Sequence, residues 1–83
     1  MSGDIARLKA EIRDRRMRSM EVAGDIDRRL RDVKNLLSTY PLAKIKDLSL
    51  PLVAQLAGEA KALQEEYLAL LDEIEKGERE LQG

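Results

Sequence analysis

Carboxylate and guanidinium groups are the most abundant reactive side chains in this sequence. The 83 residues include 16 Asp+Glu and 15 Lys+Arg, but no histidine and no cysteine. Carboxylates can bind hard cations or transfer protons, and arginines can bind phosphates. Without imidazole or thiol groups, the chain cannot form a His-activated nucleophile, a disulfide, or an ordinary zinc or haem site.

Four glutamates recur at seven-residue intervals and form what we call the acidic column: Glu59, Glu66, Glu73 and Glu80. On a helix, seven residues rise about 10.5 Å, which is too far for neighbours to share one ion. The Glu-x-x-His motif of di-iron bundles is impossible without histidine. The sequence therefore predicts no catalytic residue, no metal site and no cofactor. It favours a solvated role for the column over a docking strip for a basic partner.

Basic residues are concentrated in the first half of the chain. Residues 1–35 hold 10 basic and 7 acidic side chains, while the remainder holds 5 and 9. A basic strip can follow the phosphates of a nucleic acid, so nucleic-acid binding is the alternative function. Its candidate contacts are Lys9, Arg13, Arg16, Arg18, Arg28 and Arg31.

Three features weaken the nucleic-acid interpretation. Acidic residues are interleaved with the basic ones, no aromatic residue precedes Tyr40, and the isoelectric point is about 5.5. These features are unlike the usual basic and aromatic footprint of such proteins. We favour the interpretation that a basic first helix complements an acidic second helix.

The spacing of apolar residues predicts two long helices. In the first, alternating three- and four-residue steps define an a/d seam at positions 5, 8, 12, 15, 19, 22, 26, 29, 33, 36 and 40. In the second, the same steps run through positions 53, 56, 60, 63, 67, 70, 74, 77 and 81. We predict helix 1 over about 4–38 and helix 2 over about 50–81, within one domain spanning 1–83.

Two prolines mark the connection between the helices, at about 39–49. Pro41 and Pro51 disfavour helical geometry at Tyr40 and Leu50, and Ser49 is a candidate N-cap. The three-residue spacing of apolar residues favours a short helical turn over 41–46, with a flexible loop as the alternative. A short connection between long helices predicts an all-α antiparallel hairpin resembling a coiled coil.

Apolar residues extend beyond the a/d seam on one flank of the predicted hairpin. If paired positions sum to about 86, the e positions of both helices share one flank and the g positions share the other. Near the connection the e flank is apolar, while near the termini Lys9 faces Glu78. The predicted interface residues are Leu30, Leu37, Leu50, Ala57, Leu68 and Leu71.

So wide an apolar stripe is typical of a bundle helix, and a lone hairpin would leave it in water. We therefore expect a homodimer that forms a four-helix bundle, with another helical protein as the alternative partner. The expected role is a small adaptor or chaperone-like module for oligomerisation and protein–protein interaction.

Polar residues also enter the predicted seam. Arg15, Arg16, Ser19 and Gln64 fall at one level. They form either a polar layer that specifies register or an edge where arginines extend outward, and we favour the edge.

No apolar run approaches the roughly 20 residues that a membrane helix needs. The N-terminal residues MSGDIARLKA lack an apolar signal core. We therefore expect no membrane partner and a soluble, cytoplasmic location.

Overall fold

Two long helices joined by a short connection make up the fold. The computed structural model describes residues 2–38 and 44–83. Helix α1 spans Ser2–Leu37, a single 3-10 turn spans Ile45–Asp47, and helix α2 spans Leu50–Gln82. No strand occurs within these described ranges. The predicted all-α hairpin is confirmed, and both predicted helices agree with the observed ends to within two residues.

Local sequence explains where α1 runs and where α2 begins. Helix α1 contains no proline, and it has Asp4 in its first turn and Lys34 in its last, as the helix dipole favours. Helix α2 begins directly after Ser49 and tolerates Pro51 in its first turn. The backbone N–H of Val53 donates to the Ser49 carbonyl at 3.0 Å, but the Ser49 side chain makes no capping hydrogen bond. The predicted N-cap is therefore correct in position only.

The described part of the connection contains a helical turn that overlaps the end of the predicted one. The backbone N–H groups of Asp47 and Leu48 donate to the carbonyls of Lys44 and Ile45, at 2.9 and 3.1 Å. These bonds close a 3-10 turn over Ile45–Asp47, whereas the sequence predicted a turn over 41–46. Positions 39–43 lie outside the described residues, and the part of the predicted turn that falls on 41–43 therefore lies outside them too.

The a/d seam packs the two helices antiparallel along their whole length. The buried residues all lie on the seam: Ile12, Ser19, Val22, Ala60, Ile74 and Gly77. Val22, the least exposed of them, is 0% exposed. The described residues extend over 65 × 15 × 14 Å, so the hairpin is an elongated rod.

Cross-helix contacts establish the register. Ion pairs join Arg15 to Glu73 and Arg29 to Glu59, and a Cβ on Gly77 would lie 2.8 Å from Cγ1 of Ile12. Facing positions therefore sum to about 88, close to the predicted 86. Within the described part of the chain, neither helix is long and apolar enough to cross a membrane.

Candidate interaction surface

One side of the hairpin, on the e flank and next to it, exposes the six predicted interface residues, which we call the apolar flank. They are Leu30, Leu37, Leu50, Ala57, Leu68 and Leu71, and all are exposed. The leucines are 41–56% exposed, although long apolar side chains usually lie inside a fold. The side chains that the sequence assigned to an interface thus form a row that runs from the connection past the middle of the rod.

An open groove of about 480 Å³ runs between the helices along this flank. Its walls include Leu30 and Ala57, and its floor is formed by seam residues such as Ile26, Ala60 and Tyr67. Alanines at positions 23 and 57 make the groove deep because they leave space where larger side chains would fill it. Lys61 and Gln64 are the polar lining residues. The groove can therefore receive apolar side chains from another helix.

Two methionines that the sequence analysis did not assign also expose apolar surface. Met17 is 58% exposed and Met20 is 73% exposed. Met20 follows Arg16 by four residues and precedes Ala23 by three, so it lies beside the e positions. This spacing was available in the sequence, but it becomes informative only once the e flank is known to be open.

The opposite, g flank is closed by ion pairs between the helices. Arg29, Arg18 and Arg15 bind Glu59, Glu66 and Glu73 of the acidic column, at 3.3, 2.9 and 3.0 Å. Arg15 also approaches Glu11 at 3.8 Å. The acidic column is therefore largely paired with α1, and a description as a purely solvated face is incomplete. The pairs agree with the favoured interpretation that a basic first helix complements an acidic second helix, but the sequence did not place them here, because Arg15 and Arg29 occupy seam positions and extend towards the g flank.

The polar group within the seam separates into edge residues and one buried hydroxyl. Arg15 pairs with Glu73 on the g flank, whereas Arg16 pairs with Glu78 on the e flank. The Ser19 hydroxyl donates to the Arg16 carbonyl of its own helix at 2.7 Å. Ser19 therefore needs no partner on α2, and both arginines extend outward as the favoured interpretation predicted.

The terminal half of the e flank is charged. Arg16 bonds to Glu78 across the helices, and Lys9 and Arg13 line the same shallow groove. We expected Lys9 to pair with Glu78 within the chain. Glu78 instead pairs with Arg16, which lies two turns further along α1 and has the longer side chain. Among the described ion pairs, neither Lys9 nor Arg13 takes part.

Of the six candidate nucleic-acid contacts, the structure brings Lys9, Arg13 and Arg16 to one groove, and it pairs four of the six with carboxylates. Arg16 and Arg18 bond across the helices to Glu78 and Glu66. Arg28 and Arg31 form pairs within α1, with Asp25 at 3.9 Å and Asp27 at 2.7 Å. These side chains therefore form no continuous basic strip.

Ion pairs with carboxylates raise the pKa values of two cations, Arg18 and Lys76. The pKa of Arg18 is raised by its hydrogen bond to Glu66, then by the charge of Glu66 and a further bond to Glu21. The pKa of Lys76 is raised by its hydrogen bond to Asp72, 2.9 Å away, and by the charge of that carboxylate. Both shifts favour the charged forms of the two side chains.

Carboxylates do not converge on a point in the described ranges 2–38 and 44–83. No group of three Asp or Glu side chains there is placed so that it could hold a metal ion. The comparisons with known proteins returned no matching family model, curated protein or solved structure. Function is therefore argued from the surface of this chain alone.

Proposed function

We propose that the chain is a non-enzymatic oligomerisation and protein–protein interaction module that acts through the apolar flank. The partner we propose is a second copy of the chain, giving a four-helix bundle. In this role the protein works as a small helical adaptor or chaperone-like module, with a cytoplasmic location. The observation that carries the proposal is the row of five exposed leucines along one flank.

The asymmetry between the two flanks supports this proposal. On the g flank, three arginines bind the acidic column, and among the described residues of that flank Leu52 is the only large apolar one that stays exposed. On the e flank and beside it, five leucines and Met20 are exposed, and Leu30 also lines the open, mostly apolar groove. A solvated hairpin would gain nothing from this arrangement, whereas an associating hairpin buries the e flank and leaves the g flank in water.

The amount of apolar surface is sufficient for association. Completing the burial of a half-exposed leucine contributes about 1 kcal/mol, or roughly half the value for full burial. Five such leucines in each copy supply free energy comparable with the stability of a small domain, about 5–15 kcal/mol. The hairpin alone has a narrow core, so this contribution would be a large share of the total.

Nucleic-acid binding receives less support from the same surfaces. Four of the six candidate cations are already bound to carboxylates, and these carboxylates would repel phosphates. The experiment that distinguishes the two functions is a gel shift with short RNA and duplex DNA at low salt. We expect no shifted band.

Leu71→Gln and Leu52→Gln form a matched pair for testing the proposed function. The two leucines are 41% and 42% exposed, but Leu71 lies on the apolar flank and Leu52 on the g flank. We expect the wild-type chain to sediment at twice the mass of its 9.4 kDa monomer at micromolar concentration. Leu71→Gln should weaken the dimer about tenfold, because two leucines per dimer lose their burial.

Leu52→Gln should leave the dimerisation constant unchanged, with circular dichroism confirming that both variants remain helical. A wild-type chain that sediments as a monomer would overturn self-association. Equal weakening by both substitutions would show that the apolar flank is not the interface.

A further inference from the structure

A second line of residues with three- and four-residue spacing runs along each helix on the side of the apolar flank. On α1 it consists of Ala6, Lys9, Arg13, Arg16, Met20, Ala23, Asp27, Leu30, Lys34 and Leu37. On α2 it consists of Leu50, Ala54, Ala57, Lys61, Gln64, Leu68, Leu71, Glu75, Glu78 and Gln82. Ala23 and Glu78 are half-buried and the others are exposed. We call these lines the outer seams.

We propose that the outer seams specify the orientation of the dimer, an inference that rests on the proposed function. The two hairpins lie side by side with their connections at the same end. Each α1 packs on the α2 of the partner, about a two-fold axis parallel to the rod. Every helix then has antiparallel neighbours, as in most four-helix bundles.

Apolar residues of the two outer seams meet near the connection in this orientation. If facing positions sum to about 87–88, as they do within one chain, Leu37 faces the partner's Leu50. At the same spacing Leu30 faces the partner's Ala57, and Met20 faces the partner's Leu68. Because the inner and outer seams share one axial register, residues of all four helices form common layers.

Opposite charges meet along the rest of the same alignment. Lys9 faces the partner's Glu78, Arg13 faces the partner's Glu75, and Asp27 faces the partner's Lys61. Each of these carboxylates also has an ion pair within its own chain, so in the dimer it would lie between two cations. The remaining positions pair a polar or charged residue with a neutral one, so no like charges face each other. The cations Lys9 and Arg13, which have no ion pair within the described part of one chain, gain one from the second chain.

The opposite orientation does not match in this way. With two copies fully overlapped and antiparallel, Lys9 faces the partner's Lys34, and only Arg16 with the partner's Asp27 joins opposite charges. Sliding the copies until only the connection halves overlap restores apolar contacts. That arrangement leaves the terminal halves, with Lys9 and Arg13, without a partner. Like charges across the interface disfavour the first arrangement and the smaller buried surface disfavours the second, so the parallel orientation is preferred.

Distances between spin labels test this orientation directly. The chain has no cysteine, so Ile45→Cys labels the connection end alone and Arg7→Cys labels the terminal end alone. Both positions are exposed and lie outside the outer seams. In the parallel dimer each label pair should be separated by less than about 35 Å, since bundle helices lie about 8–10 Å apart. Either antiparallel dimer places the Arg7→Cys labels more than about 40 Å apart along the rod.

Exchange of charges between two variants gives an independent test. Arg13→Glu alone places a carboxylate near the partner's Glu75, and Glu75→Arg alone places like charges there as well. Each variant should dimerise about tenfold more weakly than the wild type. A mixture of the two should recover near wild-type affinity as a heterodimer, because both of its cross-chain contacts then join a carboxylate to a guanidinium group. Each homodimer instead has two contacts between like charges.

Arg7→Glu and Glu65→Arg are the matched controls, since both residues are exposed and lie off the outer seams. Neither should weaken the dimer, and their mixture should show no preference for the heterodimer. A dimer with the Arg7→Cys labels far apart, or without recovery on mixing, overturns the orientation but leaves self-association standing. A chain that remains monomeric in sedimentation overturns both.

Discussion

At the residue scale, the closest packing between the helices occurs where Ile12 lies against Gly77. A Cβ at position 77 would be 2.8 Å from Cγ1 and 3.0 Å from Cδ1 of Ile12, whose side chain is 3% exposed. Ile12 is surrounded and cannot swing away, so the glycine is required by its neighbour. Gly58 and Gly24 have nothing within 4 Å of the same position.

We therefore predict opposite effects for two glycine substitutions. Gly58→Ala should raise the free energy of unfolding by up to about 1 kcal/mol, because alanine is the better helix former and the site is open. Gly77→Ala should lower it by about 1 kcal/mol, because overpacking costs about 1–3 kcal/mol and outweighs that gain. Thermal or urea unfolding at one protein concentration measures both. Stabilisation by Gly77→Ala would contradict the packing argument.

The position of each arginine around α1 determines the flank on which its side chain lies. Arg15 and Arg16 are adjacent in sequence, but one binds Glu73 on the g flank and the other Glu78 on the e flank. Because each residue is rotated by about 100° from the one before it on a helix, neighbouring cations lie on different faces. Arginines that are adjacent in the sequence therefore belong to separate ion pairs on opposite flanks of the structure.

At the element scale, the start of α2 depends on its backbone and on packing more than on its cap. The Ser49 carbonyl accepts the first helical bond from Val53, but its hydroxyl caps no N–H group. The first turn of α2 also has no acidic residue to interact with the helix dipole. The position of Pro51 in the first turn is compatible with this start, since proline needs no N–H partner there.

We predict that Ser49→Ala is nearly neutral. Loss of a working N-cap costs about 1 kcal/mol, whereas removal of this unbonded hydroxyl should lower the free energy of unfolding by less than about 0.5 kcal/mol. Chemical denaturation compares the two chains at equal concentration. A loss of about 1 kcal/mol or more would show that Ser49 caps the helix in solution.

At the scale of the whole molecule, the two flanks of the rod differ in the contacts that they make. Cross-helix ion pairs on the g flank hold α1 on α2, while the e flank leaves leucines and a groove open. The hairpin buries only a narrow core, because two helices can cover each other on one face only. A second hairpin on the e flank would convert this narrow core into the centre of a bundle.

If a second hairpin packs on the e flank, the melting temperature should depend on protein concentration. Because association stabilises only the folded chain, the melting temperature of the wild type should rise by several degrees over a roughly hundredfold increase in concentration. Leu30→Gln should flatten this dependence, since it removes a leucine from the groove wall. Calorimetry or circular dichroism at several concentrations measures it. A melting temperature independent of concentration would indicate a monomer and contradict the proposed function.

Much of the fold could be predicted because it depends on local patterns. The seam spacing, the two prolines and the absence of other helix breakers determine two helices, their lengths and their antiparallel register. The apolar flank was predictable for the same reason, since heptad positions place Leu30, Leu37 and Leu71 on one side once the hairpin is assumed. The excess of leucine beyond the seam carried that signal.

Side-chain reach and close packing were decided only by the tertiary structure. Arg15 and Arg29 occupy seam positions but extend several ångströms to the acidic column, which a heptad diagram cannot show. The fit of Ile12 over Gly77 depends on helix separation, and the 3-10 turn at Ile45–Asp47 depends on how the connection closes. By itself the sequence determines which residues share a face, because helix periodicity is local. Which of them touch depends on distances between helices, and these exist only once both have packed.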